Sequence, residues 1–189
     1  MRFAGTVDSM ISQGLHLKKQ VEMSTAFATF VYLPRKRGRG LTMYNAIDIA
    51  RKVIANTDVD KGDAITNLKL QKLLFYLQGY WLGFHKKPLF NEQVEAWRYG
   101  PVVPSVYETF KRYGKEAIPV AKEGKELALE NKEQEQYFKN IYKAFSMYSA
   151  SFLVSMTHNE TPWATTKGKG RGQAISDESM IDYFSKRLL

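Results

Sequence analysis

The sequence predicts a mainly α-helical, single compact domain of about six helices with at most a small two-stranded β element. Three observations predict it. From Tyr44 onward, apolar residues recur at three- and four-residue spacing in one segment after another. Aromatic residues make up 13% of the 189, with 11 Tyr, 11 Phe and 3 Trp, enough bulk for a substantial core. Only two short stretches, at Val94 and at Ile118, read as strands.

In Tyr44–Thr57, the spacing of Ala46, Ile47, Ala50, Val53 and Ile54 predicts a short amphipathic helix, followed by a polar loop to Asp63. Thr66 or Asn67 then caps the clearest helix, carried by Leu70, Leu73, Leu74, Leu77, Trp81 and Phe84. Lys69 and Lys72 are assigned to its wet side. Gly79 and Gly83 weaken its end, and Lys86-Lys87-Pro88 stops it. Val94–Trp97 alternates as a strand does. The run Tyr99-Gly100-Pro101-Val102-Val103-Pro104 bars a helix until Ser105, after which Val106, Tyr107, Phe110 and Tyr113 line one that Gly114 closes. Ile118-Pro119-Val120 is the candidate second strand. A charged stretch leads into a helix whose stripe is Phe138, Ile141, Phe145, Tyr148 and Phe152, broken near Ser149. Pro162 makes Met156–Trp163 a bend, Lys167–Gly172 reads as a mobile basic loop, and Ser176 caps a last helix with Met180, Ile181, Tyr183 and Phe184.

Residues 1–42 look unlike the rest. They lack a sustained period and carry seven basic residues against two acidic ones, +5 of the total +9, which leaves +4 for residues 43–189. The expected division is an unstructured extension, or an untranslated leader, over 1–42 and a helical domain over 43–189, with Met43 as the natural start. The best apolar run of the extension precedes its charges, Arg35 to Arg39, the reverse of a signal peptide. The run Leu73–Phe84 is too short for a bilayer, which takes about 20 residues. A cytoplasmic protein without a membrane partner is expected. With 0 Cys, thiol nucleophiles, disulfides and cysteine metal sites are excluded.

Chemistry has few candidates. His16, His85 and His158 show no spacing that puts two imidazoles on one helix face, so no metal and no cofactor are expected. His158 and Glu160 form a local acid–base pair without a nucleophile motif; a hydrogen-bonded bend accounts for them, and no enzyme is expected. The basic segments 35–39 and 167–171 suggest a nucleic-acid-binding regulator as the alternative function. Trp97 to Tyr107 concentrates two prolines, one tryptophan and two tyrosines, rigid surfaces that lose little entropy on binding a protein. A structural corner wrapped on the core is the competing reading.

Residues Leu68-Lys69-Leu70-Gln71-Lys72-Leu73-Leu74-Phe75-Tyr76, then Lys87-Pro88-Leu89-Phe90, then Glu95 through Tyr107 resemble the Panacea domain of SocA-like antitoxins, also known as phage-associated GepA-type proteins. His158-x-Glu160-x-Pro162-Trp163 and the closing Ile175…Ile181-x-x-Tyr183-Phe184 are similar too, so the resemblance runs over about residues 44–187. It implies a helical, non-enzymatic antitoxin that neutralises a cognate toxin protein, encoded next to it, by direct binding. It also implies a possible adaptor role in which the toxin is delivered to an AAA+ protease. Many members carry a fused DNA-binding or other domain, and none is recognisable here; nucleic acid is therefore not an expected partner. The residues expected to contact the toxin are Trp97, Tyr99, Pro101, Val102 and Tyr107, with His158 and Trp163 packing beneath. The charged stretch Lys122–Gln136 is the other place where partner choice could reside.

Overall fold

The computed structural model describes residues 43–58, 64–120 and 127–187. The expected extension 1–42 with its Arg35–Arg39 cluster, and the first part of the charged stretch, lie outside the described residues. Seven α-helices and one two-stranded sheet are described: α1 Ala46–Ala55, α2 Asn67–His85, β1 Glu95–Trp97, β2 Gly100–Val102, α3 Pro104–Phe110, α4 Lys132–Ser146, α5 Ala150–His158, α6 Thr161–Ala164 and α7 Asp177–Ser185. A 3-10 turn, Lys111–Tyr113, follows α3 and ends at Gly114. The fold is mainly α, as the periodicity predicts.

Helix α2 is the axis. Thr66 caps it by accepting from the Lys69 amide, and sixteen of its nineteen residues are buried. Helices α1, α4, α5 and α7 pack against it, as do β2 and α3. A helix enclosed in this way has no wet face. Lys69 and Lys72 are accordingly 7% and 0% exposed, against the expectation that they face water. Apolar residues at nearly every angle of the helix, from Leu70 to Leu82, draw neighbours onto all sides of it.

The polar side chains sealed in α2 hold the irregular parts of the chain. Gln78 Oε1 accepts from the backbone amides of Leu89 and Phe90 (2.9 and 3.2 Å), and its Nε2 donates to the Phe90 carbonyl (3.0 Å). Gln71 Oε1 accepts from the Val103 amide (2.9 Å) while its Nε2 donates to Asn67 Oδ1 (2.9 Å). Asn67 in turn donates to the Tyr107 carbonyl (3.2 Å).

Strand β1 pairs antiparallel with β2, in the register Glu95↔Val102, Ala96↔Pro101 and Trp97↔Gly100. The second strand is therefore Gly100–Val102 and not Ile118–Val120. The reason is local: Arg98 and Tyr99 form the turn, so the chain folds straight back on itself. Ile118 instead donates its amide to Ile65 O (2.8 Å), next to an isolated bridge between Thr66 and Ala117. Pro104 takes the first turn of α3, a place that needs no N–H, so the helix begins one residue before the predicted Ser105. The break at Ser149 is as predicted: its hydroxyl caps α5 by accepting from Phe152 N (3.2 Å). Pro162 likewise opens a new short helix.

The two glycines of α2 have a different role from the predicted weakening. Phe184 of α7 sits on them, its ring 4.8 Å from that of Tyr80 and 5.5 Å from that of Phe75. A Cβ on Gly79 would lie 2.2 Å from Phe184 Cε2, and one on Gly83 would lie 2.9 Å from the Phe184 backbone. The glycines let α7 approach closely. Gly79→Ala gains about 1 kcal/mol of helix propensity, but the forced overlap costs about 1–3 kcal/mol or more. A net loss of stability is expected in thermal or urea denaturation. Equal or higher stability would show that α7 does not dock on α2 in this way.

Candidate functional site

The β1–β2 hairpin is held from below by one buried cation. Lys72 Nζ donates to the Pro101 carbonyl (2.7 Å) inside the domain. Burial pulls its ammonium down to about 7. Gly100 makes room for it: the backbone there has φ +94°, and a Cβ would fall 2.8 Å from Lys72 Cε and 2.7 Å from Thr157 Oγ1. Only glycine meets both conditions.

Above this peg the predicted residues divide. Tyr99 is 63% exposed at the hairpin tip, whereas Val102 is 5% exposed and Pro101 is buried. In this conformation Pro101 and Val102 present no side chain to a partner. Trp97 and Tyr107 are half-buried, with ring centroids 5.0 Å apart in an edge-on contact. Trp97 Nε1 donates to Glu95 Oε2 (2.7 Å), and Trp163 Nε1 donates to the Trp97 carbonyl (2.9 Å). His158 stacks on Trp163 at 4.1 Å. Burial keeps the His158 imidazole below its ordinary value, nearby Lys72 adds to this, and a hydrogen bond with the Arg98 backbone opposes it. The structure thus brings Trp97, Tyr107, His158 and Trp163 into contact, with Tyr99 standing exposed at the tip beside them.

A segment from much later in the chain joins them. The loop Lys167–Gly172 is read from sequence as mobile, yet it is tied to β1. Gly170 N donates to Ala96 O (2.8 Å), Ala96 N to Gln173 O (2.7 Å) and Ile175 N to Val94 O (2.8 Å). Its cations then lie on the rings: Arg171 is 5.0 Å from the Trp97 centroid and Lys169 is 4.6 Å from that of Trp163. Arg98 lies 5.7 Å from the Tyr99 centroid. Glu108 of α3 pairs with both Lys111 and Arg171, and these two contacts hold its carboxyl below the usual range.

His158 and Glu160 have separate partners. Glu160 accepts from the Tyr76 hydroxyl (3.0 Å) on α2, and its Oε2 is shut off from solvent with no hydrogen-bond partner among the described residues. Burial pushes its carboxyl up to about 8, against the pull of Tyr76 and Arg187. No group of three or more His, Asp or Glu among the described residues could hold a metal ion. A separate cleft of about 770 Å³, lined by Met43, Gln78, Phe90, Glu92, Asp177 and Glu178 among others, contains none of the predicted site residues. No described helix is long and apolar enough to cross a membrane.

Comparison with known proteins places the sequence in one family. The family described as Antitoxin SocA-like, Panacea domain, matches residues 70–164, which take in most of α2, the hairpin, α3 and the Trp163 turn. Antitoxin SocA of Caulobacter vibrioides (strain NA1000 / CB15N) is 32% identical over 152 residues, covering 70% of this chain and 81% of that protein. No solved structure matches.

Glu160 gives a pH dependence of defined sign. The folded carboxyl ionises near 8 and an unfolded one near 4.5, so between these values the native state holds a proton that the unfolded chain has lost. Its contribution to stability is complete below about 4.5 and declines as pH rises towards about 8. His85, pulled down to about 4 by burial, has the opposite slope at the acid end. The readout is therefore the difference from Glu160→Gln, which keeps an acceptor for Tyr76. Urea denaturation from about pH 5 to about pH 8 should show wild type losing more stability than the variant. Parallel curves would mean that Glu160 is ionised in the fold.

Proposed function

Because this chain belongs to the family of SocA-like antitoxins with a Panacea domain, we propose that it neutralises one toxin protein, encoded by the neighbouring gene, by binding it in the cytoplasm through the face around Trp97. The observation that carries this reading is the exposed Tyr99 set at the tip of a hairpin whose base is locked by Lys72 and Gln71. A rigid aromatic tip with half-buried tryptophan behind it has the make-up of an interface anchor. The side chains nearby are engaged in packing and hydrogen bonds of their own, which favours contact over catalysis. Binding alone neutralises by occlusion; handing the bound toxin to an AAA+ protease would add toxin turnover to the same contact.

Two substitutions separate interface from scaffold. Tyr99→Asp should leave the melting curve unchanged and weaken toxin binding about tenfold or more. Val102→Asp buries an unpaired charge and should cost several kcal/mol of stability. Co-expression with the neighbouring gene gives the biological readout: wild type rescues growth, and Tyr99→Asp rescues poorly while staying folded. A toxic neighbour unrelieved by the wild type, or full rescue by Tyr99→Asp, would contradict the proposal.

A further inference from the structure

We propose that the face around Trp97 takes an acidic segment of the partner, whose carboxylates meet Arg98, Lys169 and Arg171. The inference rests on the antitoxin reading and names the chemistry of its partner. Each of these cations is laid over an aromatic ring: Arg98 on Tyr99, Lys169 on Trp163 and Arg171 on Trp97. The tryptophans are themselves fixed, through Nε1 to Glu95 and to the Trp97 carbonyl. Long basic side chains held in this way have already lost much of the rotamer freedom that binding would otherwise cost.

The charges are not balanced within the face. Among the described residues, neither Arg98 nor Lys169 has a carboxylate within ion-pair distance, and the one carboxylate of Glu108 is shared by Lys111 and Arg171. Exposed Lys167 adds to the excess. Positive charge is therefore presented beside an apolar anchor, Tyr99, the pattern complementary to a protein segment mixing Asp or Glu with an apolar residue.

A nucleic acid fits the same face less well. Single strands bind such surfaces by stacking bases on open rings. Here Trp163 is covered by His158 and Lys169, and Trp97 by Tyr107 and Arg171. Glu95 and Glu108 are interleaved with the cations, which suits discrete carboxylates and opposes a continuous run of phosphates.

The test uses the full chain and the purified product of the neighbouring gene. Arg98→Glu with Lys169→Glu changes two exposed side chains and should leave the melting curve in place. Affinity should fall about tenfold for this pair, and wild-type affinity should weaken between about 50 and 300 mM salt. Arg98→Lys should retain most of the binding. Undiminished binding of the double reversal, while Tyr99→Asp still loses the toxin, would overturn the acidic segment and leave the antitoxin reading standing. A wild type that fails to bind the neighbouring product would overturn both. A single-stranded oligonucleotide that competes with the toxin for wild type would also overturn the inference, in favour of phosphate.

Discussion

The side-chain amide of Gln71 is sealed in the centre of the domain, where an unpaired donor or acceptor costs about 1–3 kcal/mol. It is paired on both sides, by the Val103 amide and by Asn67. About two turns further along, Gln78 is paired with the backbone of Leu89 and Phe90, and Lys72, next to Gln71, is paired with Pro101. These are the conditions under which a helix can carry polar groups and still be buried on every side. The hairpin and the turn before it are thus the hydrogen-bond partners that the core requires. Remove them, and helix α2 is left with orphaned amides and an unpaired ammonium.

That constraint reaches the surface in short steps. Lys72 and Gln71 fix β2 and its continuation into α3; β2 fixes β1 through its register; β1 fixes the loop 170–175 through backbone hydrogen bonds. The Trp97 carbonyl then receives Trp163 from the turn after α5. Segments separated by 66 residues or more meet at one tryptophan as a result. A surface assembled in this manner is rigid before any partner arrives, so less of the interaction energy goes into ordering it. The buried pegs and the exposed tip are two ends of one mechanical unit.

Much of the fold is legible in sequence because most helices announce themselves. Thr66 and Ser176 are caps by residue type and position, Ser149 marks a break, and Phe138, Ile141 and Phe145 mark their buried stripe by spacing alone. What spacing cannot convey is enclosure. Lys69 and Lys72 read as wet because a lysine usually is, and only the packing of other helices on all sides makes them core. The signal was present in the near-continuous apolar run around them, which leaves no polar arc for a wet face. The strand partner of Glu95–Trp97 is not legible in sequence because Pro101 argues against a strand, although a short pair at a sheet edge tolerates it. The aromatic cluster was visible as composition. Its division into exposed Tyr99 and buried Val102 required the register, and the docking of Lys169 and Arg171 on its rings required the tertiary fold.

The central claim is that the buried polar side chains of α2 hold the hairpin in place. Native-state hydrogen exchange of Gln71→Leu tests it most directly, since the substitution keeps the core apolar and deletes the acceptor of the Val103 amide. The expected result is a selective loss of protection at Val103, at Ala96 and at Gly170, larger than the loss at α2 amides such as those of Leu74 and Leu77. Protection lost equally throughout the domain, or kept at the hairpin, would contradict the account.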